Sequence, residues 1–351
     1  MVYGRHAMRA ALTLLALIAS AAPLAAESVR LGVAAPLSGP SAVLGLQIAS
    51  GAGEAAGERA EVIAFDTECT AEGGADAART FVENEVSAVV GFLCRQEIEA
   101  ALPILTDAGI PVLAVGVRAN RLTDERERTG HLVWRLGPRT DGEADALADF
   151  VRTNWRDQPF GIVDDGSVNA RDLSDEIRAR LGPESVEPSL VDDFRPAEEV
   201  QFALARRILQ SGVTRLLVFG TRSDVAVLAR DAAELGLELD IVGSEQLLDE
   251  SGEGPDLPSG VRAVAVDPNA GTRSEDTPRE GYFGPAFAAT QVALDALDGV
   301  GSGTDFPQAI EGTTFGTVLG PLDFDERGES TLPAFEVLTY DGARFVPGPQ
   351  S

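Results

Sequence analysis

The 351-residue chain has no lysine: all 28 of its basic residues are arginine. Histidine, cysteine, methionine and tryptophan occur twice each, and aromatic residues make up only 6%. Each scarcity excludes some chemistry. Without lysine there is no Schiff base and no lysine-bearing P-loop. Histidine and cysteine are scarce for a conventional zinc site. Against the arginines stand 56 acidic residues, for a formal net charge of −28. That sign is wrong for a nucleic-acid partner, which needs a basic footprint. What remains is an ordinary globular balance, 44% hydrophobic and 24% charged, in a chain long enough for two packed lobes.

The amino terminus is read first, because it does not belong to the fold. Arg5, His6 and Arg9 precede an uncharged apolar run from Ala10 to Ala22, and Pro23-Leu24-Ala25-Ala26 supplies small residues before Glu27. This is the layout of a secretory signal peptide, with cleavage expected after Ala26 and Ala25 as the alternative. The run is too short for a membrane span, which needs about 20 apolar residues. No Cys follows it to take a lipid. Removal leaves 26 Arg, a charge of −30 and His131 as the sole histidine.

Downstream, short apolar runs alternate with helical patterns. Strands are expected at Val29–Leu37, Glu61–Asp66, Ala88–Leu93, Pro111–Val117 and Leu132–Leu136, with helices at Gly74–Glu85 and Glu97–Ala108. A second series has strands at Phe160–Asp164, Arg215–Gly220, Asp240–Gly243 and Val261–Val266, and helices at Ala170–Leu181, Ala197–Gln210 and Ser223–Leu235. Strands separated by crossover helices imply parallel sheets covered on both faces, so the fold class is α/β with two lobes. A late helix at Pro285–Leu297 precedes strand-like Gly320–Asp325 and Ala334–Tyr340, the latter turning back through Asp341-Gly342 as a hairpin. Residues 249–259 and 269–280 read as loops.

Cys69 follows the second strand and Cys94 ends the third. The ends of successive parallel strands are expected side by side, so a disulfide is geometrically reasonable; two free buried thiols are the alternative.

Several segments, in order, resemble the branched-chain amino-acid binding proteins, the type I periplasmic solute receptors of ABC transporters. They are Pro36-Leu37-Ser38-Gly39-Pro40 followed by Gly45, Gly91-Phe92-Leu93-Cys94 with Cys69 upstream, Gly109-Ile110-Pro111-Val112, Gly243-Ser244-Glu245, and Leu319-Gly320-Pro321-Leu322-Asp323-Phe324-Asp325. The resemblance covers nearly the whole chain after the leader. It implies two Rossmann-like lobes (27–137 plus 269–324, and 138–268 plus 325–351) joined by a three-segment hinge. The crossings fall near Leu136–Pro138, Asp267–Pro268 and Phe324–Gly328. It also implies a Cys69–Cys94 disulfide, a small-molecule solute in the cleft, an inner-membrane ABC permease as partner, a periplasmic location, and no enzymatic activity, cofactor or metal.

In such sheets ligands collect at the carboxyl ends of strands. The first-lobe candidates are Ser38, Leu44, Arg95, Gly116, Val117 and Arg118. Arg95 and Arg118 stand where the family carries hydroxyls on the ligand carboxylate, and a guanidinium can hold a carboxylate in two-pronged fashion. Both could equally point to solvent or pair with local acids such as Glu97 and Asp124. In the second lobe the resemblance places Glu245 on a ligand ammonium, with Asn169 and Thr221 beside it. Leu44 and Asn169 replace aromatic residues, so a polar or anionic solute is expected, with amino-acid-like groups allowed by Glu245. Two other classes stand beside the transport receptor. One is a ligand sensor of the same fold. The other is an exported hydrolase, disfavoured by the lone His131 and the lack of G-x-S-x-G or H-E-x-x-H. The adjacent acids Asp164-Asp165 and Asp192-Asp193 read as strand-end caps rather than acid/base pairs.

Overall fold

The computed structural model describes residues 29–249, 254–270, 280–301 and 303–348. The expected leader, residues 1–26, and most of the loop at 269–280 lie outside them.

The first half of the chain builds one parallel sheet. Its strands are β1 (Val29–Ala35), β2 (Ala60–Asp66), β3 (Ala88–Gly91), β4 (Val112–Ala114) and β5 (Val133–Arg135), in the order β2-β1-β3-β4-β5. Between them run α1 (Ala42–Ala56), α2 (Ala71–Glu83), α3 (Arg95–Asp107) and the short α4 (Arg121–Asp124) and α5 (Arg126–Thr129). The second half repeats the plan with β6 (Gly161–Asp164), β7 (Leu190–Asp193), β8 (Arg215–Phe219), β9 (Asp240–Gly243) and β10 (Arg262–Ala265). Its helices are α6 (Gly142–Asn154), α7 (Val168–Leu181), α8 (Phe202–Ser211) and α9 (Arg222–Glu234). The strand order β7-β6-β8-β9-β10 matches that of the first sheet. The chain then returns to the first sheet with α10 (Phe283–Gly301), α11 (Phe306–Ile310) and the two-stranded pair β11 (Phe315–Thr317) and β12 (Gly320–Leu322). It ends at the second sheet with the hairpin β13 (Glu336–Tyr340) and β14 (Phe345–Pro347), antiparallel to β10.

Side-chain alternation explains why both faces of each sheet are covered. Leu31, Val33, Val90, Leu113 and Trp134 point to one side, where α1 and α10 supply Ile48, Ala289 and Val292. Ala34, Val89, Val112 and Val133 point to the other, against Phe81 of α2 and Ile98 and Leu102 of α3. The second sheet divides likewise: Leu216, Val218 and Ile241 meet α8 and α9, whereas Ile162, Leu217 and Val242 meet α6 and α7.

Three passages link the sheets, after β5, β10 and β12. The first and third are tied by a buried ion pair. Arg135, with no exposed surface, donates from Nε to Oε2 of Glu329 at 3.0 Å and from Nη2 to Oε1, and also to Thr123 Oγ1 at 2.9 Å and the Ala119 carbonyl at 2.9 Å. Arg139 adds a contact to Glu329 Oε1 at 3.0 Å while also holding Asp124 and Asp141. Of these residues only Asp124 is named from the sequence, as a local acid.

Several expectations need correction. The strands bearing the cysteines are not neighbours, because β1 lies between β2 and β3. The third helix of the second lobe begins at Phe202 rather than Ala197: Ala197 has a positive φ of 61° and donates its N–H to Asp224 Oδ1 at 2.7 Å, which holds the preceding loop off helical geometry. The first strand ends at Ala35, before Pro36, and the Leu37 N–H turns to Asp66 Oδ1 at 2.7 Å. The strand expected at Gly320–Asp325 stops at Leu322.

Candidate functional site

The carboxyl ends of the two sheets face each other, as contacts between their loops establish. Arg118 lies in the loop after β4, and Glu245 lies just after β9. Arg118 Nη1 donates to Glu245 Oε2 at 2.6 Å and Nη2 to Oε1 at 2.9 Å, a fork that spans the cleft. Two parallel charge-assisted bonds make this among the stronger polar contacts available to the residue pair. The Arg118 guanidinium is held more firmly in its charged form, first by the hydrogen bond to Glu245 and against the cost of partial burial.

Three further residues close round this pair. Glu143, in the first turn of α6, accepts the Glu245 backbone N–H at 2.7 Å. Burial pushes its carboxyl above the usual carboxylate range, and the charge of Glu245 pushes the same way while Arg118 opposes. Tyr282, just before α10, has its hydroxyl pushed up chiefly by burial, with Arg118 opposing. The Phe335 ring lies 6.0 Å from the Arg118 guanidinium carbon, at the outer limit for a cation–π contact. The arrangement is one cation, two carboxylates, a phenol and an aromatic face. It can receive a carboxylate on one side and an ammonium on the other.

Backbone ties hold Arg118 in place. Its carbonyl accepts from Thr140 N at 2.9 Å and from Thr140 Oγ1 at 2.9 Å, which fastens the loop after β4 to the start of the second lobe.

The remaining sequence candidates are placed as follows. Arg95, at the start of α3, is largely exposed and pairs with Glu99 at 3.3 Å on its own helix. Ser38 is exposed, and its hydroxyl hydrogen-bonds the Asp66 carboxylate, lowering that group's pKa. Leu44 is exposed in the first turn of α1, beside Val43 and Leu46, giving an apolar patch at this end of the sheet. Gly116 is buried and spends its N–H on the Phe92 carbonyl at 3.0 Å. Val117 is buried in the core of the first sheet. Asn169 is exposed in the first turn of α7, near exposed Val168. Thr221 caps α9, with its hydroxyl donating to Asp224 Oδ2 at 2.7 Å. Only Arg118 and Glu245 of this set are in direct contact. Glu143, Tyr282 and Phe335 escaped the sequence reading: one Glu among 56 acids carries no signal, and the two aromatics border loops.

Cys69 and Cys94 form a disulfide with Cα atoms 5.3 Å apart. It bridges over the end of β1. Gly91 makes room, since its φ of +125° is open to glycine and a Cβ there would stand 2.2 Å from the Ala34 carbonyl oxygen. Glu97 accepts from the N–H groups of Leu93 at 2.6 Å and Cys94 at 2.8 Å, completing the cap of α3. Although Glu97 lies near both sulfurs, their bonding to each other leaves no thiolate for a metal. The adjacent acids Asp164 and Asp165 each accept a backbone N–H two residues on, at 2.9 Å, as turn-forming caps.

A crevice of about 650 Å³ opens between α6 and residues 330–337, with Phe335 in its lining. Three of its charged residues are engaged by protein partners, Arg139 by Asp124, Asp145 by Arg180 and Asp149 by Arg152. Arg118 and Glu245 are engaged as well, but with each other and between loops of the two sheets, which makes their contact the candidate site.

A family model described as periplasmic binding protein matches residues 28–341. The Leu/Ile/Val-binding protein homolog 3 of Brucella melitensis biotype 1 is 23% identical over 352 residues, covering 93% of this chain and 95% of the relative. Among solved structures, the branched-chain amino acid transporter substrate binding protein LivJ of Streptococcus pneumoniae, in complex with isoleucine, aligns with a TM-score of 0.58 at 16% identity, covering 92% of this chain and all of that one. A solute binding protein of an ABC transporter from R. palustris, in complex with 4-hydroxybenzoate, aligns with a TM-score of 0.60 at 13% identity, covering 93% and 96%. These likenesses establish the two-lobed fold of type I periplasmic binding proteins.

Proposed function

The chain belongs to the periplasmic binding protein family, and from that premise we propose that it is the solute receptor of an ABC transporter. It takes a small amino-acid-like solute between its lobes and presents it to a membrane permease. The observation that carries this reading is the Arg118–Glu245 fork, which places one fixed cation and one fixed anion on opposite lobes. Hinge closure would bring such groups onto a bound solute from both sides. A solute carboxylate is assigned to Arg118 and an ammonium to Glu245. The exposed Val43, Leu44 and Leu46 of α1 and Val168 of α7 would accept an apolar body. The leader read at residues 1–26 directs the protein to the periplasm, and the lobes are assigned to 27–137 with 269–324 and to 138–268 with 325–351.

The test is thermal melting of the purified mature chain against amino acids, aromatic acids, dicarboxylates and sugars. A solute at a hundred times its dissociation constant adds about 2.7 kcal/mol of stability. A clear rise in melting temperature with an amino acid or organic acid is expected. Stabilisation by a neutral sugar, with none from any acid or zwitterion, would refute the assignment.

A further inference from the structure

The chain carries two Arg–Glu forks of similar geometry and opposite character. Arg135 with Glu329 is sealed from water and braces the hinge. Arg118 with Glu245 keeps about a third of each side chain exposed and joins loops of different lobes. An exposed contact of this kind can exchange partners, because water and solutes reach both halves. Nothing in the folding of either sheet requires it.

We propose that Arg118 is the site's own occupant, its guanidinium holding on Glu245 the place of a solute's cationic group, so that a solute binds by displacing it. This rests on the receptor reading and deepens it by naming what holds Glu245 before a solute arrives.

The surroundings of Glu245 are those of a cation seat. Glu245 itself grips the guanidinium in two-pronged fashion, Glu143 lies one hydrogen bond away, and the Phe335 ring presents its face. A solute must therefore displace a cation that the protein already supplies. An acid without an amine could take Arg118, but it would strand Glu245 beside Glu143. An amine without an acid could take Glu245, but it would strand Arg118 in a partly buried cleft. Leaving a desolvated charge unmatched is the costly outcome in each case. A zwitterion exchanges one ion pair for two and strands neither group. The two solved relatives described above carry an amino acid and an aromatic acid. On this argument the present cleft favours the former charge pattern, the amino-acid-like groups that Glu245 allows, over a purely anionic solute.

The experiment uses three probes with one hydrocarbon body: L-leucine, 4-methylpentanoate, which lacks the amine, and 3-methylbutylamine, which lacks the carboxylate. Their affinities are measured by calorimetry on the mature wild-type protein and on the Arg118→Ala and Glu245→Gln variants. With Arg118 removed, Glu245 is free, and the amine is expected to bind about tenfold more tightly than to wild type. With Glu245 neutralised, Arg118 is free, and the acid is expected to gain by about the same factor. Reciprocal gains support the proposal. An affinity for the amine that is unchanged or lower in Arg118→Ala, or for the acid in Glu245→Gln, overturns it. Failure of the receptor reading looks different: no amino acid or organic acid in the wider melting screen would stabilise the wild-type protein at all.

Discussion

Replacing Glu329 by alanine tests the hinge bracing most directly. Glu329 receives both arms of the fully buried Arg135 guanidinium, a further contact from Arg139 at 3.0 Å, and the Thr123 hydroxyl. Truncation leaves Arg135 charged and dry, its remaining partners being the Val117 and Ala119 carbonyls and Thr123. Removing one partner of a buried pair costs about 3–5 kcal/mol. At about 2.1 cal/mol/K of unfolding entropy per residue, a 351-residue chain unfolding as one unit would melt roughly 4–7 °C lower. Calorimetry on ligand-free protein measures this. The double variant Arg135→Met, Glu329→Met is expected to lose less than Glu329→Ala alone, because apolar groups of similar volume leave no charge stranded. A Glu329→Ala melt within about 1 °C of wild type, or a double variant worse than the single one, would refute the reasoning.

Four other outcomes follow from the described geometry. Changing both Cys69 and Cys94 to serine opens a loop of sequence separation 25 and is expected to cost roughly 3–4 kcal/mol; an unchanged urea midpoint would contradict it. Burial raises the Glu97 carboxyl above its ordinary 4.5, so the folded chain keeps a proton that the unfolded chain has lost. Stability therefore falls as pH climbs from 4.5 through the raised folded value. Glu97→Gln should flatten that slope while its amide oxygen still accepts from Leu93 and Cys94, and urea melts across pH 4–8 that keep the wild-type slope would count against this. Gly45→Ala would set a Cβ 1.8 Å from the Pro36 carbonyl oxygen, for an overpacking cost of roughly 1–3 kcal/mol, read as a lower urea midpoint. Self-repulsion from the net charge of −28 predicts a melting temperature that rises with salt from dilute buffer; a falling one would contradict it.

The lobes were legible because both sheets are buried on two faces, and buried parallel strands print as short apolar runs such as Asp240–Gly243, which the structure reproduces to the residue. Helix α6 was missed: it follows the first hinge passage with Asp141, Gly142 and Glu143, and its apolar positions begin only at Ala144. The adjacency assumed for the cysteine strands failed because strand order is a tertiary choice that local pattern does not encode. At the site, Arg118 and Glu245 were named through the family resemblance, yet the contact between them was invisible, since residues 127 apart in sequence meet only when two lobes face each other. Glu143 and Arg135 stayed hidden for the opposite reason: charged residues usually lie in water, and nothing local marks the few that do not.

Helix α10 packs against α1 across more than two hundred residues, and the β13–β14 hairpin completes a sheet begun at β6. Neither lobe is therefore a stretch of gene. A stop codon or frameshift before about Phe283 removes a wall of the first lobe as well as the edge of the second, so no simple truncation yields half a receptor. A fragment that keeps one lobe whole has to be spliced from two pieces of coding sequence, and a reporter domain meant to sense closure is better inserted within a surface loop than fused at a lobe boundary.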